Sequence, residues 1–409
     1  MTQDQAMEVL KMGSNVFLTG PAGSGKTFVL NKYINYLKDK KIAVGVTAST
    51  GIAATHLSGM TIHSWCGIGI KDFLYDKDMS AILGKAYLKK RFANTNVLII
   101  DEVSMLHAYR LDMVDRICKA FKQNSLPFGG MQVIMCGDFF QLPPVSRNNE
   151  GDSFVYKSEI WNNMDLKICY LEEQHRQQDR AFLRVLSDIR TNNVDEDTVN
   201  YLRERYNQEV KGKIKPTRLY THNADVDAIN EMELSKISGD IHSYKTTVRG
   251  NKDLVEFLHK SCLAPEDLNI KNGAVVMFVK NNYEKGYVNG TLGKVIGFDE
   301  NDYPIVETAG GREIIAAPTS WAIEEDGSVK AEICQIPLRL AWAITIHKSQ
   351  GMSLDAAEID LSKSFVPGMG YVALSRARTL SGMKLVGIND MALRVNPEVL
   401  EMDKFFKSI

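Results

Sequence analysis

The sequence predicts an α/β protein with two domains, each built on a parallel sheet, and a smaller β-rich segment inserted into the second domain. Three observations support this prediction. Short apolar runs typical of buried strands alternate with helical patterns in the first part of the chain. A further strand-like run at Arg218–Asn223 opens a second α/β segment. Between about Ser238 and Val329, short β-type runs alternate with turns instead.

The strongest local signal is a glycine-rich turn between a strand and a helix. Asn15–Thr19 is an apolar, β-branched run typical of a strand. From Lys26 to about Lys38 the pattern is helical, with apolar residues at Phe28, Val29, Tyr33, Ile34 and Leu37. The turn has the spacing G-x-x-x-x-G-K-[ST] of a phosphate-binding P-loop and consists of Gly20, Pro21, Ala22, Gly23, Ser24, Gly25, Lys26 and Thr27.

A P-loop directs backbone N–H groups and the positive end of a helix at a polyphosphate. Gly20, Gly23 and Gly25 allow positive φ and a close approach of the backbone to the phosphates. Lys26 is expected to pair with the β- and γ-phosphates, and Thr27 to hold Mg²⁺ through its hydroxyl. A glycine turn that matches by chance is the alternative, and the flanking strand and helix argue against it.

The composition of the 409 residues is that of an ordinary globular protein of two to four domains, with 44% hydrophobic and 24% charged residues. The net charge of −1 shows no basic excess, so a nucleic-acid site must be a local groove. No apolar run reaches the roughly 18 residues of a membrane span, and the N-terminal residues do not resemble a signal or transit peptide. The six cysteines are scattered without a C-x-x-C pair, which suggests a reducing compartment and neither a zinc site nor disulfides.

Two polar stretches follow the second predicted strand, Ile42–Val46. Hydroxyls and a glycine in Thr47–Ala54 suit contacts with nucleic-acid phosphates. The same residue types equally favour a helix N-cap, and the pattern alone does not decide. Thr61–Trp65 combines hydroxyls, an imidazole and an aromatic side chain. From Cys66 to Asn94 the apolar pattern weakens and charges rise, which predicts a small inserted subdomain.

Two carboxylates end the third predicted strand, Asn96–Glu102. Asp101 is expected to orient Mg²⁺ or its water, and Glu102 to act as general base on the attacking water. Both carboxylates following a P-loop indicate an enzyme that hydrolyses a nucleoside triphosphate rather than only binding it. A fourth strand, Met131–Cys136, leads into Gly137–Val145, where Gln141 is placed to sense the γ-phosphate.

The second half begins with the Arg218–Asn223 strand and continues into the β-rich segment. Asn289-Gly290 is a hairpin signal within that segment, which we predict to be a small barrel. After the buried run Ile336–Ala343, hydrogen-bond donors cluster at Thr345, His347, Lys348, Ser349 and Gln350, and Gly351 follows. A lone histidine there would more often belong to the core. Beside Lys348, we interpret His347 as a contact to a nucleic-acid strand.

Taken together, these motifs resemble those of superfamily-one helicases. The matching stretches are Gly20–Thr27, Thr47–Ala54, Asp101–Met105, Gly137–Val145, Glu173–Gln177, Leu340–Gly351 and Tyr371–Arg378. Pro127–Gln132 resembles more specifically the Pif (petite integration frequency) DNA helicases, relatives of RecD and of the phage Dda helicase. The resemblance covers nearly the whole chain in the family's order.

The resemblance implies two tandem RecA-like P-loop domains, at residues 1–65 with 95–165 and at 166–237 with 330–409. Residues 66–94 would carry a wedge against the duplex, and 238–329 would form an SH3-like barrel. ATP and Mg²⁺ would bind between the domains, with catalytic roles for Lys26, Glu102, Gln141, Arg176 and Arg376, metal contacts from Thr27 and Asp101, and further ATP contacts from Gln5 and Gly351. Arg176 and Arg376 would act as arginine fingers supplied by the second domain.

The resemblance also implies movement 5′→3′ along single-stranded DNA and the unwinding of forked duplexes. The DNA contacts would come from Thr47, Thr50, Gly51, His63, Pro143, Thr345, His347 and Lys348. We expect a monomer in the cytoplasm, encoded by a bacterium or a phage. The alternatives are a translocase or recombination subunit that moves without separating strands, a P-loop kinase for a small molecule, and a passive binder with a dead ATP site.

Overall fold

The computed structural model describes residues 1–69, 71–144, 154–174, 179–210, 214–220, 226–282, 284–325 and 328–408. A six-stranded sheet forms the first lobe, with strand order β3-β2-β4-β5-β1-β6 and every neighbouring pair parallel. Its strands are β1 Asn15–Thr19, β2 Val44–Ala48, β3 Met60–Thr61, β4 Val97–Asp101, β5 Gln132–Cys136 and β6 Leu166–Tyr170. The first four predicted strands are confirmed to within two residues. β6 extends the sheet beyond residue 165, where the first domain was predicted to end.

Helices cover both faces of this sheet. They are α1 Gln3–Lys11, α2 Lys26–Asp39, α3 Gly51–His56, α4 Ile62–Cys66, α5 Asp76–Leu83, α6 Ala86–Asn94, α7 Ala108–Lys122 and α8 Glu159–Asn163. Successive strand residues face opposite sides, so Leu18 packs with α1 and α2 while Phe17 packs with the other core. The helical pattern predicted for α2 is confirmed except at Phe28, which is 57% exposed because it faces the cleft rather than the sheet.

The predicted insertion at Cys66–Asn94 contains α5 and α6. Leu88 and Phe92 of α6 are fully buried, and the Phe92 ring stacks on Phe121 of α7 with centroids 4.4 Å apart. Phe73 and Tyr75, before α5, are 72% and 64% exposed. This segment is therefore anchored by α6 and by Met79 and Ile82 of α5, and it presents aromatic rings to solvent.

The second lobe begins with α9 Arg180–Arg190, α10 Glu196–Arg203, β7 Thr217–Tyr220 and α11 Val226–Ser235. The β-rich insertion then contributes β8 His242–Lys245, β9 Thr247–Gly250, α12 Lys252–Ser261, β10 Asp267–Ile270, β11 Val275–Phe278, β12 Leu292–Phe298, β13 Pro304–Thr308, β14 Glu313–Ile315, β15 Thr319–Glu325, β16 Ser328–Gln335 and β17 Leu338–Leu340. β14-β13-β12-β11-β17 form one antiparallel sheet, and β15-β16-β9 form another. Because β17 belongs to the first of these, the insertion's sheet extends past residue 329.

The tight hairpin predicted at Asn289-Gly290 is wrong. β11 and β12 do pair antiparallel, but β11 ends at Phe278 and β12 begins only at Leu292. Asn289 and Gly290 lie at the end of that longer connection, and the positive φ of +93° at Gly290 brings its backbone against Ser353. The SH3-like character of the insertion stays a prediction.

The chain returns to the second lobe with β18 Ala343–Thr345, β19 Ala357–Leu361, α13 Met369–Leu374, β20 Met383–Ile388 and α14 Pro397–Ser408. The parallel sheet β18-β7-β19-β20 is its core. α14 crosses to the first lobe, where Phe406 packs 5.2 Å from Phe17. In the part of the chain that the structure describes, no helix is long and apolar enough to span a membrane.

Candidate active site

The P-loop has the geometry that its glycines predict. Gly20, Gly23 and Gly25 have φ of +144°, +90° and +85°, and α2 begins directly afterwards at Lys26. The Lys26 ammonium donates to the carbonyls of Gly20 at 2.8 Å and Pro21 at 3.1 Å. The loop is thus closed around its own lysine, at the positive end of a helix.

Two carboxylates lie at the carboxyl end of β4. Asp101 is the last residue of β4, and one of its oxygens accepts the backbone N–H of Glu102 at 2.9 Å. Glu102 has a left-handed backbone with φ +52°, a strained conformation found disproportionately at active sites. Burial, and then the charge of Asp101, raise the pKa of Glu102 to about 7, against the opposing pull of Lys26 and Arg376. A carboxylate of this pKa suits a general base near neutral pH.

Arg376 comes from the second lobe and is 1% exposed. Its guanidinium donates to the carbonyls of Val372 at 2.9 Å and Ser349 at 3.4 Å, and to the Ser375 hydroxyl at 2.7 Å. Burial lowers the pKa of Arg376, and the charge of Glu102 partly restores it. The guanidinium is therefore held in one orientation toward the carboxylates of the first lobe.

A second link between the lobes is a side-chain amide. The Nε2 of Gln350 lies 3.1 Å from a carboxylate oxygen of Glu102 and 3.4 Å from the amide oxygen of Gln141. Gln141 is 7% exposed and follows β5 in the first lobe. The predicted base and the predicted phosphate sensor thus contact the same residue of the opposite lobe.

Both lobes line one cavity of about 1070 Å³. Of the residues predicted from the sequence, its walls include Ala22, Gly23, Gly25, Lys26, Thr27, Thr50, Asp101, Glu102, Gln141, His347, Lys348, Gly351 and Arg376. The remaining P-loop residues Gly20, Pro21 and Ser24 are not among the residues that line it. Residues from distant parts of the sequence, with complementary charges, therefore face a single space large enough for a nucleotide.

Other predicted residues lie elsewhere. Gln5 is in a capping box at the start of α1, where its side chain accepts the backbone N–H of Thr2 at 2.9 Å. It is instead Gln3 that reaches the P-loop, donating to the Ser24 carbonyl at 3.2 Å. Arg176, the first predicted arginine finger, lies outside the described residues, and its role stays a prediction.

Of the predicted DNA contacts, some line the cavity and others do not. Thr47 is fully buried and donates to the Ile99 carbonyl at 2.6 Å, so its hydroxyl belongs to the sheet. Thr50 faces the cavity and also caps α3, accepting the N–H of Ala53 at 3.3 Å, so the N-cap interpretation of that stretch is confirmed and the DNA contact stays a prediction. Thr345 is 7% exposed and caps the turn at Lys348.

The remaining three lie outside the cavity wall. Gly51 packs under α12, where an added Cβ would lie 2.1 Å from the Ser261 hydroxyl. His63 is half-buried in α4, and burial, with Arg110 and His107 nearby, lowers its pKa to about 4. Pro143 is also half-buried. Without DNA, His63 is therefore uncharged at neutral pH.

Comparison with known proteins identifies the family. The sequence model of the PIF1-like helicases matches residues 3–198, and that of the 2B domain of DNA helicase Pif1 matches residues 253–298. The ATP-dependent DNA helicase Pif1 of Psychrobacter sp. is 46% identical over the whole chain, which spans 71% of that protein. The chain belongs to the PIF1-like helicase family. It spans 63% of the Xenopus laevis ATP-dependent DNA helicase PIF1, which is 36% identical.

Solved structures of Bacteroides Pif1 extend the match to the fold. The complex with ADP-AlF4 is 31% identical, with a TM-score of 0.85 over 99% of this chain and 96% of that one. The form bound to single-stranded DNA gives 0.66 with the same coverage and 32% identity. The prediction of an α/β fold with tandem RecA-like domains is confirmed for this PIF1-like helicase.

Sequence reasoning missed several residues of the cleft in this PIF1-like helicase. His56 ends α3, and its Nε2 lies 3.2 Å from the amide nitrogen of Asn289 in the insertion. A Cβ added to Gly351 would lie 3.6 Å from the His56 ring, so the second lobe is also close. Arg378 lines the same cavity and forms an ion pair with Asp355 at 3.0 Å. No local pattern marks His56 or Asn289 as a residue of the cleft, because their contact depends on where the insertion docks.

Proposed function

We propose that this PIF1-like helicase hydrolyses ATP in the cavity between its lobes and uses the cycle to move 5′→3′ on single-stranded DNA and open duplexes. The protein is an ATP-dependent DNA helicase. The observation that carries the site-level proposal is the single cavity shared by Lys26, Glu102 and Arg376, residues supplied by both lobes. A nucleotide held there contacts both lobes. Binding of ATP therefore favours the closed cleft, and hydrolysis of ATP allows the cleft to open.

The residues divide the work of phosphoryl transfer. Lys26 neutralises the β- and γ-phosphates, and Glu102 accepts the proton of the attacking water. Arg376 stabilises charge that grows on the γ-phosphoryl group, with Arg176 as the second finger. Gln141 orients the water or senses the γ-phosphate, and its contact with Gln350 supports that role because it passes the signal to the second lobe.

The donor set at the P-loop fits Mg²⁺. Thr27 offers a hydroxyl and Asp101 a buried carboxylate on the same wall of the cavity. The described residues contain no group of three or more His, Cys, Asp or Glu side chains that could hold a metal ion. Mg²⁺ typically binds to one or two protein oxygens plus phosphates and water, so this sparse set suits it. When bound, the ion would neutralise phosphate charge.

Single-stranded DNA would cross the same cleft. Thr50 on the first lobe and His347 and Lys348 on the second supply hydroxyl, imidazole and ammonium donors to one cavity. Such side chains bind backbone phosphates without reading sequence. If the grips of the two lobes alternate in strength as the cleft closes and opens, each ATP advances the strand in one direction. The proposed monomer needs no second copy for this cycle.

The deciding experiment combines ATP hydrolysis with unwinding of duplexes tailed at either the 5′ or the 3′ end. We expect hydrolysis to require single-stranded DNA and unwinding to occur only from the 5′ tail. Lys26→Ala should abolish both activities and leave the thermal unfolding midpoint intact. Unwinding from the 3′ tail would refute the polarity, movement without strand separation would indicate a translocase, and unwinding retained in Lys26→Ala would refute the site.

A further inference from the structure

Three buried polar side chains join the lobes beside the P-loop: Asp138, Arg190 and Tyr371, here called the seam triad. Asp138 follows β5 of the first lobe, Arg190 ends α9 and Tyr371 lies in α13 of the second lobe. They are 0%, 6% and 1% exposed. Nη1 of Arg190 donates to both oxygens of Asp138, at 2.7 and 2.8 Å.

The hydroxyl of Tyr371 is the centre of this cluster. It accepts the backbone N–H of Ala22, a P-loop residue, at 3.0 Å and an Arg190 N–H at 3.3 Å. Its own proton is directed at an Asp138 oxygen 3.5 Å away. A hydroxyl has one proton and two lone pairs, so this one uses its full hydrogen-bonding capacity. One oxygen atom of the second lobe is therefore hydrogen-bonded to the phosphate-binding loop of the first lobe.

Asp138 extends the cluster to the predicted phosphate sensor. One of its oxygens accepts the Phe140 backbone N–H at 3.2 Å, and the other lies 3.4 Å from the side-chain nitrogen of Gln141. Gln141 in turn contacts Gln350. The position of Gln141 thus depends on the Asp138 carboxylate, which is itself held by the other two members of the seam triad.

Arg190 keeps its positive charge although it is buried. Burial disfavours the charge on Arg190, but Asp138 outweighs it, with Tyr371, Tyr170 and Asp403, so the pKa of Arg190 is raised well above its ordinary value. The desolvation cost of a buried ion pair can exceed its Coulombic attraction, so the pair need not add stability. What it does supply is a fixed geometry among the groups it bonds.

We propose that Tyr371 is a positioning residue for ATP hydrolysis. Its hydroxyl positions the P-loop through the hydrogen bond from Ala22. It also positions Gln141 indirectly, through Asp138. The same helix leads into Arg376, so both halves of the hydrolytic site are placed relative to one oxygen atom. This inference rests on the proposed function of the cavity, and it assigns to Tyr371 an effect on turnover rather than on nucleotide affinity.

Tyr371→Phe tests the proposal because it removes only the hydroxyl and keeps the buried ring. We expect kcat for DNA-stimulated hydrolysis to fall about tenfold, while KM for ATP and affinity for single-stranded DNA change less than about twofold. Tyr33→Phe is the matched control. Tyr33 is 2% exposed, and its hydroxyl contacts the Leu10 carbonyl and the Gln132 side chain. Gln132 begins β5, so these contacts lie at the opposite end of that strand from Asp138. Tyr33→Phe should lower the unfolding midpoint by about as much as Tyr371→Phe does, and it should leave kcat unchanged.

Tyr170→Phe separates the P-loop contact from general support of Arg190. The Tyr170 hydroxyl accepts from Arg190 at 3.2 Å and donates to Asp403 at 3.0 Å, with no bond to the P-loop. We expect kcat to stay within about twofold of wild type. Equal losses in Tyr170→Phe and Tyr371→Phe, or no loss in Tyr371→Phe, would overturn the proposal. A wild-type protein without ATPase activity would instead refute the proposed function.

Discussion

Glu102 and Gln350 meet across the cleft, with 3.1 Å between the Gln350 amide nitrogen and a Glu102 carboxylate oxygen, although 248 residues separate them along the chain. An N–H donor on the carboxylate holds it in one orientation. The pair therefore places the proposed general base under the control of the opposite lobe. It also gives closure of the cleft a direct effect on the base.

The first prediction concerns this contact. Gln350→Ala should lower kcat for ATP hydrolysis about tenfold, because Glu102 loses the donor that orients it. Initial rates at saturating ATP and single-stranded DNA measure the effect. Gln208→Ala, at an exposed position in the second lobe, should leave the rate unchanged. Equal rates in the two variants would show that closure does not act on the base through Gln350.

A second prediction concerns Arg376. Arg376→Lys keeps a positive charge but cannot reproduce the planar fork that donates to Val372, Ser349 and Ser375, so hydrolysis should fall at least about 100-fold. Binding of a fluorescent ATP analogue should change only a few-fold. Arg378→Lys is the comparison, since Arg378 lines the same cavity but is paired with Asp355, and should cost much less. Loss of nucleotide binding with normal turnover of the bound fraction would contradict the finger role.

A third prediction distinguishes two neighbouring hydroxyls. Thr47→Val removes a buried hydrogen bond to Ile99, and Thr50→Val removes the cap of α3, so each should cost about 1 kcal/mol of stability. Only Thr50 faces the cleft. Thr50→Val should therefore weaken binding of single-stranded DNA about three- to tenfold, and Thr47→Val should not. Fluorescence anisotropy with a labelled oligonucleotide measures this, and equal weakening would place the DNA path elsewhere.

A fourth prediction concerns acid stability. Burial lowers the pKa of His56 to about 4, against about 6.5 in an unfolded chain. Between these values the unfolded state binds the extra proton and the folded state does not, so His56 makes stability fall as pH drops from about 6.5 toward 4. In His56→Gln the unfolding midpoint should decline less between pH 7.5 and pH 5. Parallel declines in variant and wild type would show that His56 is charged in the folded protein.

Much of the first lobe could be predicted because its signals are local. The strand Asn15–Thr19, the positive φ of Gly23 and Gly25 and the start of α2 at Lys26 follow from residue types over a short stretch. Local signals failed where a neighbour elsewhere decided the outcome. Phe28 fits the apolar period of α2 but faces the cleft, and Asn289-Gly290 fits a tight hairpin but packs against Ser353 and His56.

The sequence by itself determined the P-loop, the Asp101-Glu102 pair and the two-lobed α/β plan, because glycine conformation and hydrophobic periodicity act between residues close in the chain. Only the tertiary structure decided which groups share the cleft. Tyr371 meets Ala22 across 349 residues, and no propensity or spacing encodes such a contact. It arises where the two lobes dock, so its partners become visible only in the folded chain.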